Sequence, residues 1–148
     1  MKAKGQVLVL LAVLTGVLVA AVVGFLSLST LYAVRSHART ALQTAVAAGV
    51  RRVDYEETGQ PYLDEGEVVP LIREVFRRAL STQTYGLGAS PEEIASGLVV
   101  DVYNTVPWYA RSGRVHGSPG VEATAQVPVR VLFFTVGIPI SVEMEVKP

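Results

Sequence analysis

The chain has 148 residues, half of them hydrophobic and 18% charged, with a mean hydropathy of +0.39; this is one domain's worth of chain and apolar for a soluble protein. Thirteen Lys and Arg balance thirteen Asp and Glu, so no basic excess is available for counterion release, which argues against general nucleic-acid binding. The absence of cysteine excludes a disulfide scaffold, thiolate metal sites and a cysteine nucleophile, but does not identify the compartment.

The apolar residues are concentrated at one end. Positions 5 to 34 form a run of thirty residues without a charge, and fourteen of the twenty residues from Val7 to Leu26 are Val, Leu or Phe. As a helix the run would reach ~45 Å, against a bilayer core of ~30 Å. At roughly −0.3 to −0.6 kcal/mol for each large apolar residue, insertion is favoured by about 4 to 8 kcal/mol before Gly and Thr are counted against it. A cleaved secretory signal should have a shorter apolar stretch and a small-residue cleavage site, and Leu31-Tyr32-Ala33 puts a bulky residue where a small one belongs. A buried core helix of this length would have to be covered by the short remainder of the chain. A retained single-pass anchor is therefore expected. Lys2 and Lys4 on one side match Arg35 and Arg39 on the other, so charge bias gives almost no orientation.

The apolar period continues beyond Tyr32. Leu31, Val34, Ala38, Ala41/Leu42, Ala45/Val46, Gly49/Val50 and Val53 recur every three or four residues, with Arg35, Arg39, Gln43 and Arg51 opposite, as on one face of a helix. Ala38, Ala41, Ala45, Ala48 and Gly49 make the stripe small, so whatever packs there comes close. It suits either a sheet laid on the helix or a seam with sister helices.

Three stretches of this segment resemble the N-terminal helix of TadE/TadG-like proteins: Gly5-Gln6-Val7-Leu8-Val9-Leu10-Leu11-Ala12, Leu31-Tyr32-Ala33-Val34-Arg35 and Leu42-Gln43-Thr44-Ala45-Val46-Ala47-Ala48-Gly49. The resemblance implies a single-pass accessory or minor-pilin protein of the bacterial tight-adherence pilus machinery. It would be held in the cytoplasmic membrane with its C-terminal domain outside, and Gly5 would precede a candidate prepilin-type cleavage site. TadE-type members carry Glu five residues after this glycine, where this chain has Leu10. A carboxylate in lipid is costly and is kept for a partner, such as the terminal ammonium of a neighbouring subunit. Leu10 cannot make that pair, which argues against a major filament subunit and against cleavage after Gly5. Where the TadG-type helix carries acids, this chain has Ser27 near one position and Thr44 at the other. The remainder is too short for the von Willebrand-type domain of longer TadG proteins.

Next comes an acidic, turn-rich stretch with Asp54, Glu56, Glu57, Asp64, Glu65 and Glu67 around Gly59, Pro61 and Gly66. Its spacing does not fit an EF-hand loop, so it reads as a solvated linker. A helix is expected from about Glu67, with Pro70 in its first turn, a stripe of Val68, Leu71/Ile72, Val75/Phe76 and Ala79/Leu80, and arginines 73, 77 and 78 toward its C-terminus. Tyr85-Gly86-Leu87-Gly88 is a turn without the flanking elements of a phosphate loop. Ser90-Pro91-Glu92-Glu93 marks a helix start, with a capping hydroxyl, a first-position proline and acids in the first turn.

The last fifty residues alternate with period two. Val121, Ala123, Ala125, Val127, Val129, Val131 and Phe133 take one face; after a turn around Gly137, Ile138, Ile140, Val142, Met144 and Val146 do the same. A hairpin with one buried and one wet face follows. Pro128 and Pro139 each lack a ladder donor and must sit at a bulge, a strand end or an outward edge. Between strands, 104–120 forms a long loop in which Trp108, Tyr109 and Arg111 are candidate interface residues, although Trp108 could instead cap the open end of the core. His37 and His116 stand apart from any ligand-spaced cluster and read as surface histidines.

The fold class expected is α+β. A basic N-tail and transmembrane helix would occupy 1–34 and an extracytoplasmic domain 35–148: helix extension 35–53, acidic linker 54–67, a helix over about 67–82 and an antiparallel sheet of about three strands over about 97–147. No catalytic, metal or cofactor residues are identified and no enzyme, nucleic-acid partner or small-molecule substrate is expected. The partners implied are the membrane, other pilus or secretion subunits and further copies of the chain. The alternative is an anchored extracytoplasmic binding module unrelated to pili.

Overall fold

The computed structural model describes residues 2–55 and 59–147, with side chains of the first helix from Gly5 onward. Glu56 and Glu57 of the expected acidic linker lie outside the described residues. The chain is α+β: one long apolar N-terminal helix joined to a small head built on antiparallel strands.

Helix α1 runs unbroken over Lys2–Val50. No proline occurs before Pro61, so no position lacks the N–H that the helix ladder requires, and 49 residues rise ~74 Å. Several of its hydroxyls are turned onto its own backbone. The hydroxyls of Thr15, Ser27 and Thr30 donate to the carbonyls of Leu11, Val23 and Leu26 at 2.8, 2.8 and 3.0 Å, which hides hydroxyl groups within an apolar surface. From Gly5 to Leu26 every residue is exposed; from Val34 onward one face is buried, including Ala38, Leu42, Ala45 and Val46 at 0% exposure.

The helix ends at Val50 rather than Val53, because Val53 enters a strand. β1 (Val53–Tyr55) pairs antiparallel with β2 (Pro61–Leu63), so the expected linker contains a small hairpin. Asn104 fixes its end: its Oδ1 accepts from the Leu63 N–H at 2.8 Å, and its Nδ2 donates to the Leu63 carbonyl at 2.9 Å. Helix α2 (Glu65–Ser81) starts two residues earlier than expected, because Asp64 supplies the cap by accepting from Gly66 N–H at 2.8 Å. Pro70 consequently lies inside the helix rather than in its first turn. Val68, Ile72, Phe76 and Leu80, four residues apart, are fully buried, and α2 packs on α1. A Cβ added at Gly49 would stand 2.6 Å from two Ile72 side-chain carbons, so glycine permits the close approach.

Helix α3 (Pro91–Ser96) has the expected cap, with the Ser90 Oγ accepting from Glu93 N–H at 3.2 Å. The main sheet then forms from β3 (Val99–Tyr103), β6 (Gly120–Val131) and β7 (Phe134–Glu145), in the order β3-β6-β7 and antiparallel throughout. Between β3 and β6, β4 (Trp108–Tyr109) pairs with β5 (Val115–His116). The apolar face of β6 and β7 lies on α1, with Val121, Ala123, Ala125, Val127, Val129, Val131, Ile140, Val142 and Val146 buried.

The β6–β7 turn is at Leu132-Phe133, not at Gly137. Gly137 lies within β7 opposite Pro128, and Gln126 lies opposite Pro139. The carbonyl of Pro128 and the N–H of Arg130 bond to Gly88 and Gly86 at 2.8 Å, so the backbone at these even-numbered positions points away from β7. The nitrogen of Pro128 therefore faces away from the β7 ladder, and by the antiparallel register that of Pro139 faces the outer edge of β7. Phe133, expected on the buried face, caps the turn at 98% exposure.

Candidate functional site

Two ends of the molecule carry features beyond a packed core. Gly5 lies in an early turn of α1 and is exposed. From there to Leu26 the helix is apolar and bare, long and apolar enough to cross a membrane. The small-residue stripe does not extend this bare surface. Ala38, Ala41, Ala45 and Gly49 are buried and Ala48 is half-buried, because α2 and the β6–β7 sheet occupy that side of α1. Both uses foreseen for the stripe concerned close packing; within one chain it serves α2 and the sheet.

At the far end of the sheet, register aligns three acids across three strands: Asp101 of β3 opposite Glu122 of β6, and Glu122 opposite Glu143 of β7. Side by side these carboxylates repel, and the 104–119 loop folds over them. Arg111 donates from its guanidinium to Asp101 Oδ2 at 2.8 Å, while its backbone N–H reaches both oxygens of Glu122 at 3.1 and 3.3 Å. The Ser112 hydroxyl donates to Glu143 at 2.7 Å and Arg114 pairs with the same carboxylate at 3.4 Å. His116 lies 3.3 Å from Glu145 and 3.8 Å from Glu143. Consequently the second face of the sheet is not simply wet: Glu122 is 1% exposed.

Trp108 sits at the centre of this cover, also nearly fully buried. Its ring stacks on Tyr103 at 4.4 Å and on His116 at 4.2 Å, and its Nε1 donates to the Ser118 carbonyl at 2.9 Å. Burial pushes the Tyr103 hydroxyl above its ordinary pKa; the nearby Asp101 and Glu122 carboxylates push it the same way and Arg111 opposes them. Of the three candidate interface residues, Tyr109 and Arg111 are on the surface and Trp108 is enclosed. Arg111 is engaged with the acid row, which leaves Tyr109 as the unoccupied aromatic of the loop.

The histidines are less exposed than a surface reading implies. Both are half-buried, and the Nε2 of each is buried without a hydrogen-bond partner among the described residues. No group of three or more His, Cys, Asp or Glu is placed to hold a metal among the described residues. The acid row was open to detection from the alternation of Glu122, Glu143 and Glu145 with apolar neighbours, but alignment with Asp101 depends on register, which alternation alone leaves open.

The opposite, helix-facing end of the hairpin lies beside α1. Leu26, Ser27 and Thr30 of α1 share a cleft with Tyr85, Gly86, Arg130 and Leu132. Gly86 has φ +80°, and a Cβ there would stand 2.8 Å from Val34 and 3.0 Å from Thr30, so both conformation and space call for glycine. No protein-family model, curated protein or solved structure matches this chain.

Proposed function

We propose that this chain is a single-pass, membrane-anchored minor-pilin-like or accessory component of a bacterial tight-adherence-type pilus or secretion assembly, working by protein–protein packing and not by catalysis. The observation that carries the reading is how one unbroken helix is divided. Its first half is bare and apolar, and its second half is the central core element of an α+β head. A continuous helix fixes the head relative to the bilayer without a hinge, which an assembly subunit needs if its neighbours are to meet it in one geometry. The resemblance of the first fifty residues to TadE/TadG-like helices supports the same reading. Leu10 in place of the family's Glu removes the pairing with a neighbouring N-terminus and directs the proposal toward an accessory or minor role.

The test is deletion of the gene in its native host followed by complementation with the full chain. Loss of pilus assembly or secretion, restored by the full chain, is expected, together with cross-linking from the bare helix to assembly subunits. Unchanged assembly in the deletion strain would sink the proposal. The second reading, an anchored extracytoplasmic binding module, draws on Tyr109 at 70% exposure on the β4–β5 hairpin. It would be favoured if Tyr109→Ala abolished capture of a peptide or polymer while assembly was unaffected.

A further inference from the structure

We propose that the β6–β7 turn is a second membrane contact, seating Phe133 in the headgroup region of the leaflet from which α1 emerges. The inference rests on the reading of α1 as a membrane anchor and goes beyond it, since an anchor alone does not require the head to touch lipid.

The first argument is position. From Gly5 to Leu26 the helix rises ~32 Å, one bilayer core of ~30 Å. Leu26 is also where the head first meets α1, because it shares the cleft with Arg130 and Leu132 beside the turn. A span that uses the bare segment therefore brings its surface to the level of the turn. The hairpin also points the right way, since β6 runs from the acid row back toward the bare half of α1.

Chemistry is the second argument. Phe133 is 98% exposed, Phe134 58%, Leu132 53% and Tyr85 77%, an apolar and aromatic group that a water-facing turn does not need. Tyr32 on α1 is 77% exposed, and Arg130 in the hairpin is exposed. Tyr85, Arg130 and Leu132 share the cleft beside the turn, and Tyr32 lies ~9 Å further along α1 than Leu26, a spread that fits the membrane–water interface, where amphipathic rings and phosphate-seeking arginines settle. The depth is bounded as well: a reverse turn has backbone groups without ladder partners, so it can enter the interface but not the hydrocarbon core.

The chain contains no cysteine, so single-cysteine variants of the full chain can be labelled with an environment-sensitive fluorophore and reconstituted in phosphatidylcholine vesicles. Phe133→Cys is the test position, Leu14→Cys the control within the span, and Val115→Cys the control at the far end of the head. Nitroxide-bearing lipids should quench the labels at 133 and 14 and leave the label at 115, whereas aqueous iodide should quench the label at 115 strongly, that at 133 only weakly and that at 14 not at all. Iodide quenching at 133 without lipid quenching would overturn the proposal while leaving the anchor intact. Shielding at 133 from both quenchers would overturn it in favour of cover by a second copy. Failure of lipid quenching at 14 would remove the anchor reading, and this inference with it.

Discussion

Trp108 is held on both faces, by Tyr103 and His116, and its one polar atom is hydrogen-bonded. Trp108→Ala removes the whole stack and should cost about 3–5 kcal/mol, whereas Trp108→Phe keeps a ring there and loses the hydrogen bond to Ser118, worth about 1 kcal/mol. Urea unfolding followed by circular dichroism measures both, and a loss under 1 kcal/mol for the alanine variant would contradict the enclosed site. The same cluster predicts an alkaline limit. Tyr103 has a raised pKa, so the folded state favours its neutral form. Its contribution is fully present below the ordinary value of 10 and is lost as pH rises through the higher folded value. Tyr103→Phe should therefore flatten the fall in melting temperature above that pH. Gly49 makes the opposite kind of demand, for space: Gly49→Val would drive methyl groups into Ile72 and should cost about 1–3 kcal/mol by overpacking.

Among the elements, α2 has an acid-sensitive surface. Glu74 accepts from Arg77 at 2.9 Å and from Arg78 at 2.6 Å. These hydrogen bonds, that from Arg77 first, lower its pKa to about 2. A depressed carboxyl contributes stability above its unfolded pKa, taken as 4.5, and loses it as pH falls toward 2. The group is exposed, so the effect is small and screened by salt. The melting temperatures of the natural chain and Glu74→Gln should differ at neutral pH and converge in acid, and a constant gap across the range would contradict the pairing. The helices were legible in the sequence because their signals are local: the four-residue stripe of α2, the Ser90-Pro91 start of α3 and the small-residue face of α1 all lie within one element. Strand alternation was legible for the same reason. The position of the β6–β7 turn was not, because Val131-Leu132-Phe133-Phe134 is an unbroken apolar run without a turn-forming residue and the more obvious breakers, Pro128, Gly137 and Pro139, are absorbed inside the strands. Leu132 instead adopts φ 51°, a value that normally calls for glycine. Leu132→Gly should relieve that strain and raise the melting temperature, by up to ~1 kcal/mol of stability, and a lowered melting temperature would contradict it.

At the scale of the whole molecule, α1 belongs to two structures, and the boundary between them can be tested. Val34, Ala38, Ala41, Leu42, Ala45, Val46 and Val50 are core residues of the head, whereas everything from Gly5 to Leu26 is exposed. Removing residues 2–26 takes away apolar surface of which the head borders only Leu26, at the rim of its cleft. Removing residues 2–50 takes away the surface on which α2, β6 and β7 all pack. Deleting even a few of those side chains at about 2–5 kcal/mol for each large one would exhaust the ~5–15 kcal/mol that holds a domain folded. The shorter truncation should therefore unfold in a single cooperative transition and leave the membrane fraction, while the longer one should show no transition. The full chain should remain with membranes after carbonate extraction. This pair of truncations separates a head that merely hangs from a helix from one built around it. If the longer truncation still unfolded cooperatively, the head would have a core of its own and α1 would be only a tether. The close packing of Gly49 on Ile72 and of Gly86 on Val34 argues for the built-in helix, because contacts that a single Cβ would break hold the head to α1 at both ends of its packed half.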